Sequence, residues 1–233
     1  MRTCVITGAS SGIGRASAIM LSQTREYDNY ALIGRNIKGL EETAQNMASD
    51  INVYIINADL STPENLPHIV DEIAEKYGTI DCLLNIAGYT EPASIFSTTY
   101  ENIQATYTIN CFSPFILMRE CAKYMKKKGG KILNIASTAG MSPRPGWVSY
   151  ASSKAAMISI SQTLTEELAE YGIKVYCISP GRCATNLRKK LAPDEDPSTI
   201  MQPEDVARII CNLIGEGGNC IDGQNIVVRQ KIK

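Results

Sequence analysis

Short apolar runs rich in valine, isoleucine and leucine alternate along this chain with longer stretches in which apolar side chains recur every three or four positions. The short runs predict strands over 3–7, 31–33, 53–57, 82–85, 131–136, 174–178 and 225–228. Several are apolar without a break, as strands covered on both faces should be. The longer stretches predict helices over 13–23, 37–49, 63–77, 100–127, 148–171 and 203–214. Local punctuation agrees with these boundaries. Thr62 offers a capping hydroxyl before Pro63, and Gly78 and Gly172 follow Tyr77 and Tyr171 where a left-handed cap belongs. Strand–helix alternation implies a parallel sheet with helices on both faces. With no internal repeat or long linker, residues 1–233 read as one doubly wound α/β domain of about seven strands.

Between the first strand and the first helix stands Thr7-Gly8-Ala9-Ser10-Ser11-Gly12-Ile13-Gly14. In such a turn the backbone N–H groups and the helix N-terminus can cradle a pyrophosphate. Gly8 permits the turn, Gly12 admits the phosphates, and Gly14 lets helix and strand pack closely. The second strand runs into Gly34-Arg35-Asn36. A carboxylate here would bond the ribose hydroxyls of NAD. Gly34 stands in its place, and Arg35 offers a planar fork for a 2′-phosphate. NADP(H) is therefore favoured over NAD(H).

Tyr150-Ala151-Ser152-Ser153-Lys154 puts a phenol and an ammonium at i and i+4 on one helical face. A tyrosine with a reference pKa of about 10 needs help to act as an acid–base group at neutral pH, and a nearby ammonium stabilises its phenolate. The pair alone is common on any helix; its neighbours give it weight. The strand over 131–136 ends at Ser137, and in open α/β sheets binding groups gather at the carboxyl ends of strands. Asn110 falls inside the long helix predicted over 100–127, where asparagine is disfavoured by propensity.

The Gly-rich turn resembles the T-G-x-x-x-G-x-G of the classical short-chain dehydrogenase/reductase family, and further motifs follow in order from Thr3 to about Val228. Asn85-Ile86-Ala87-Gly88 is similar to the family's N-N-A-G, with Ile86 in place of the second asparagine. Ser179-Pro180-Gly181 and Thr185 resemble its turn beneath the nicotinamide, and 203–207 resembles a family helix start. The resemblance implies a Rossmann-type fold and direct hydride transfer between nicotinamide and a substrate carbon, without a metal. It assigns proton transfer to Tyr150, stabilisation of the substrate oxygen to Ser137, and the nicotinamide ribose to Lys154. A proton-relay water falls to Asn110, the adenine amino group to Asp59 beside Leu60, and the carboxamide to Thr185. Small residues at Ala87 and Gly88 would let the backbone approach the cofactor.

Composition narrows the partners. The 233 residues are 44% hydrophobic and 20% charged with a formal net charge of −1, so no global field favours nucleic acid or an anionic membrane. No run approaches the roughly 18 apolar residues that span a bilayer. The opening segment carries no signal-peptide succession. Eight cysteines without a C-x-x-C pair read as reduced, buried thiols of a cytoplasmic protein. The single histidine, His68, falls on a predicted surface helix, which argues against a zinc site.

The segment 186–201 should cover the substrate. It is short and polar, where a steroid cleft would be apolar and aromatic. Arg144, Arg182, Arg188 and Lys189, with Trp147 shaping the pocket, could meet an anionic substrate, although the acids at 194–196 partly cancel their field. Only four residues follow Arg229, whereas many family members carry a longer end that helps build a tetramer; a homodimer or homotetramer is expected. Among family activities, 3-oxoacyl-acyl-carrier-protein reduction is the commonest. The G-Q-x-I-x-V-R ending resembles reductase domains that act on sugar or polyol phosphates for surface polysaccharides. A non-catalytic dinucleotide-binding regulator is the reading of another class, and the intact Ser137, Tyr150 and Lys154 argue against it.

Overall fold

The structure is a computed structural model that describes residues 1–221 and 223–230; Asp222 and the last three residues, part of the short tail noted above, lie outside the described residues. Seven strands form the core: β1 (Thr3–Thr7), β2 (Asn29–Gly34), β3 (Asn52–Asn57), β4 (Cys82–Asn85), β5 (Gly130–Ile135), β6 (Ile173–Pro180) and β7 (Asn225–Val228). They pair in parallel in the order β3-β2-β1-β4-β5-β6-β7. The helices are α1 (Gly12–Thr24), α2 (Ile37–Gln45), α3 (Leu66–Tyr77), α4 (Tyr100–Tyr107), α5 (Ser113–Met125), α6 (Val148–Ala169), α7 (Asn186–Leu191) and α8 (Pro203–Ile214).

Alternation along each strand splits the interior into two cores. Cys4 and Ile6 of β1 face a layer that includes Leu21 of α1, Leu40 of α2 and Ile210 of α8. Val5 faces the opposite layer, with Ile73 of α3, Leu117 of α5 and Met157 of α6. Burial on both sides explains the unbroken apolar runs, and each such aliphatic side chain contributes about 1.5–3 kcal/mol. The chain winds outward from β1 to β3 and then crosses back to β4. This topological switch opens a crevice at the carboxyl ends of β1 and β4.

The strand expectations hold, with β2 and β6 longer than predicted; the helices depart at three places. The helix expected over 63–77 begins as a 3-10 turn over Pro63–Asn65, because Pro67 lacks the N–H that would continue an α-ladder from Pro63. The helix expected over 37–49 ends at Gln45, where the N–H groups of Asn46 and Met47 tighten onto Thr43 and Ala44 carbonyls. The long helix expected over 100–127 is interrupted by a π turn at Thr108–Phe112, in which Ser113 N–H reaches back to the Thr108 carbonyl. Pro114 accounts for the interruption, since the N–H it lacks would have closed an α-turn on the Asn110 carbonyl. The segment after β6, read as an irregular cover, contains α7, which Thr185 caps by accepting from Arg188 N–H at 3.1 Å.

Candidate active site

The turn after β1 is built by steric exclusion. Gly8 and Gly12 adopt positive φ of 70° and 53°. A Cβ on Gly8 would lie 2.9 Å from Ala87 backbone atoms, and one on Gly14 would lie 2.2 Å from the Gly8 carbonyl oxygen. The turn thus packs directly on the loop after β4. Thr7 fastens the two, its Oγ1 accepting from the N–H groups of Ile86 at 3.0 Å and Ala87 at 3.2 Å. Arg15, which sequence reading passed over, donates to the Ser10 carbonyl at 2.7 Å and the Gly39 carbonyl at 3.2 Å, pinning the turn to α2. Ser11 precedes α1 without capping it through its side chain, so the first-turn N–H groups face the crevice free of a side-chain cap.

At the end of β2, Arg35 and Asp59 form an exposed ion pair at 3.5 Å. Partial burial would raise the Asp59 carboxyl, but bonds from Ser61 and the Arg35 charge together carry it below its ordinary value. A Cβ on Gly34 would stand 3.6 Å from Ser10 Oγ, so the space a carboxylate would need is shared with the Gly-rich turn.

At the end of β5 the Ala136 N–H still bonds to the Ile178 carbonyl, which delivers Ser137 to the rim of the sheet. Tyr150, in the first turn of α6, is buried beside it, with the Trp147 ring packed edge-on at 6.5 Å. Burial raises the phenol above its ordinary value; the Ser137 side chain and the Arg188 charge oppose the shift. Lys154 is buried too, and burial pushes its ammonium down to about 8. Its Nζ donates to the Ile135 carbonyl at 2.8 Å and lies 5.8 Å from the Tyr150 ring centre. Lys154 is turned toward the end of β5 and toward Gly88, whose hypothetical Cβ would be 3.8 Å from Nζ.

These groups line one cavity of about 850 Å³, together with Gly8, Ser10, Ser11, Gly12, Ile13, Gly14, Arg35, Asp59, Leu60, Ala87, Gly88, Pro180, Gly181 and Thr185. Arg144, Trp147, Arg182 and Arg188, expected near the substrate, are on the same wall. Three expected site residues are not: Lys189, which is exposed on α7 away from the wall, Asn85 and Asn110. Asn85 sits behind the wall because its amide donates across the sheet to Asn134 Oδ1 at 2.9 Å, although its own buried Oδ1 has no partner among the described residues. Asn110 also sits behind it: its amide donates to the Tyr89 carbonyl and to Ser153 Oγ, both at 3.0 Å, and its Oδ1 accepts from Tyr89 N–H at 2.8 Å. With both amide hydrogens engaged, the side chain has no donor left for a water, whereas the main-chain carbonyl lacks its α-helical partner.

The expected field of Arg182 and Arg188 is also modified. Glu195 accepts from Arg188 at 2.6 and 2.8 Å and from Arg182 at 3.1 Å, bridging α7 to the turn after β6. Arg188 in turn lies 5.8 Å over the Trp147 ring.

A glycine-built anion cradle at a topological switch point, facing a buried tyrosine and lysine, defines a dinucleotide-dependent oxidoreductase site. The family model for the short chain dehydrogenases matches residues 2–196, and the chain belongs to that family. It is 30% identical over 97% of its length to 3-oxoacyl-acyl-carrier-protein reductase FabG of Thermotoga maritima, covering 95% of that protein. Among solved structures, acetoin dehydrogenase YohF from Salmonella typhimurium superposes with a TM-score of 0.88 at 25% identity, covering 97% of this chain and 94% of that one. A candidate NAD(P)-dependent gluconate 5-dehydrogenase from Beutenbergia cavernae, with NADP bound at low occupancy, gives 0.87 at 27% identity over the same shares.

Proposed function

We propose that this oxidoreductase uses NADP(H) to interconvert a ketone and a secondary alcohol, with Tyr150 as the proton donor and acceptor. The observation that carries the reading is the meeting of Tyr150, Ser137 and Lys154 on the wall of the cavity that begins at the Gly-rich turn. Bound NADPH supplies the hydride that reduces the carbonyl carbon. The Tyr150 O–H gives its proton to the substrate oxygen, and the Ser137 hydroxyl donates to the same oxygen as charge develops on it. The resulting phenolate would be stabilised by the nearby charges of Lys154 and Arg188. Asn110 is a positioning residue, holding Tyr89 and Ser153; a relay water fits its main-chain carbonyl better than its side chain. The cradle of Gly8 through Gly14 fits a pyrophosphate, and Asp59 with Leu60 and Thr185 fits the adenine and carboxamide ends.

For the substrate, the reading supported by the curated relative is a 3-oxoacyl thioester of an acyl-carrier protein. The arginines on the cavity wall favour a second reading, a compact ketone carrying an anionic group, such as a phosphorylated sugar or polyol. Six of the eight cysteines are buried and none is in a disulfide, which suits a cytoplasmic protein. Among the described residues no helix is long and apolar enough to cross a membrane. The test is NADPH oxidation with 3-oxoacyl thioesters and small ketones against a Tyr150→Phe control. Turnover above the control supports the reading. Tight NADPH binding with no turnover on any carbonyl would leave the non-catalytic regulator instead.

A further inference from the structure

Beside the main cavity lies a second one of about 430 Å³, walled by four separate segments: Thr138 to Arg144 after β5, Gly181 and Arg182 after β6, the apolar pair Ile200 and Met201 before α8, and Val227 to Gln230 at the end of β7. The two cavities share Thr138, Arg144, Gly181 and Arg182, so the smaller opens on the reacting end of the larger, next to Ser137. Three arginines reach it, Arg144, Arg182 and Arg229, and no carboxylate lines it among the described residues. Glu195 neutralises Arg182 from the far side, but Arg144 and Arg229 have no carboxylate partner among the described residues. The placement of Arg229 is structural. Gly181 N–H bonds to the Val228 carbonyl at 2.8 Å, and a Cβ on Gly181 would come within 3.1 Å of Arg229 Cβ. The glycine after Pro180 therefore lets the Arg229 backbone and Cβ pack close against the turn after β6, which brings Arg229 into the cavity lining.

We infer that this side cavity is the subsite for a phosphate monoester on a small ketone or secondary-alcohol substrate, held by Arg144 and Arg229 with Arg182 behind them. The inference rests on the carbonyl-reductase reading and specifies its substrate class. Planar guanidinium forks converging from different segments suit the several oxygens of a phosphate dianion. Because the cavity abuts Thr138, the phosphate and the reacting carbonyl must be separated by a short carbon chain. The long pantetheine arm of an acyl-carrier protein would carry its phosphodiester well past this point. Phosphate and phosphodiester share the recognition chemistry, so the experiment needs an arm for each.

With the full-length protein and NADPH, kcat/KM is measured on three- to six-carbon ketose phosphates, the same ketoses without phosphate, 3-oxo carboxylates of matching length, and an acetoacetyl thioester on an acyl-carrier protein. The phosphorylated ketose is expected to be preferred about a hundredfold over its unphosphorylated form. Arg144→Gln and Arg229→Gln should each lower that preference about tenfold, mainly through KM, with Arg229→Lys recovering part of it. Both side chains are exposed, so the variants are expected to fold. Equal turnover of the paired ketoses, a preference the variants leave unmoved, or a better carboxylate or carrier-protein substrate would overturn the subsite. If no ketone turns over above Tyr150→Phe, the carbonyl-reductase reading has failed. The subsite is then judged separately by calorimetric binding of inorganic phosphate to the protein with NADP. Binding should be lost in the Arg144→Gln/Arg229→Gln double variant; no binding, or binding the double variant keeps, overturns it.

Discussion

Asn110 donates a hydrogen bond to Ser153 across two elements, and Ser153 donates in turn to the carbonyl of Tyr150 at 2.8 Å. The π turn thereby grips the helix that carries the phenol at the point where the phenol emerges. Asn110→Leu should remove all three hydrogen bonds of this buried side chain and cost about 1–3 kcal/mol of stability. It should also lower kcat by about tenfold or more while moving KM less, because the loss is in alignment rather than substrate contact. Ser153→Ala should behave similarly, and the double variant should fall short of the sum of the two singles, since both belong to one chain of bonds. Additive effects in a double-mutant cycle on kcat would show that the two residues act independently.

Lys154 carries a stability cost that its function would explain. Its folded pKa lies near 8, below its unfolded value, so between those two values the unfolded chain binds the extra proton. The cost is fully present below about pH 8 and is relieved as pH rises toward the ordinary lysine range. Lys154→Met should therefore be more stable than the natural protein at neutral pH, by about 1–3 kcal/mol, while losing most activity. Urea unfolding at pH 7 and above pH 10 provides the check. The gain should shrink at the higher pH; a constant difference would mean that lost charge burial is not the cause.

The proposed preference for NADP rests on Arg35, which is exposed and whose guanidinium pairs with Asp59. Surface pairs of this kind contribute little, so the guanidinium is free to exchange Asp59 for a 2′-phosphate. Arg35→Asp should weaken NADP binding by about tenfold or more and shift the preference toward NAD. Fluorescence titration with both dinucleotides measures it, and unchanged NADP affinity would remove Arg35 from the site.

What could be read from the chain and what could not divide along physical lines. The strands were legible because burial on both faces leaves unbroken apolar runs such as Val5-Ile6 in β1 and Ala31-Leu32-Ile33 in β2. The Gly-rich turn and the Tyr150–Lys154 pair were legible because their geometry depends on local spacing. Pro67 and Pro114 stand inside stretches of strong apolar periodicity, which hides from a pattern reading the breaks they make in the α-helical ladder. Helix α7 has six residues, three of them consecutive basic positions, and its apolar face is the single pair Leu187 and Leu191, too short a pattern to announce a helix. Arg229 reaches the site only because β7 pairs with β6, and Glu195 meets both Arg182 and Arg188 only once α7 has formed. Contacts made by folding the chain back on itself leave no trace in local spacing.

The α4–α5 region exposes more apolar surface than a free monomer usually keeps: Phe96 is 99% exposed, Tyr100 73%, Phe112 53% and Phe115 44%. The π turn contributes to this face, turning Phe112 outward beside the Tyr107 ring at 6.2 Å. We expect this surface to be covered by a second copy of the chain, giving the homodimer, or half of the homotetramer, anticipated from the sequence. Phe112→Asp combined with Phe115→Asp places charges on the exposed face without touching either core, so the fold should survive. Sedimentation velocity should then show a monomer where the natural protein sediments as a dimer or tetramer. Because the same π turn holds Asn110, the monomer should also lose activity through kcat. A double variant that stays assembled would place the interface elsewhere.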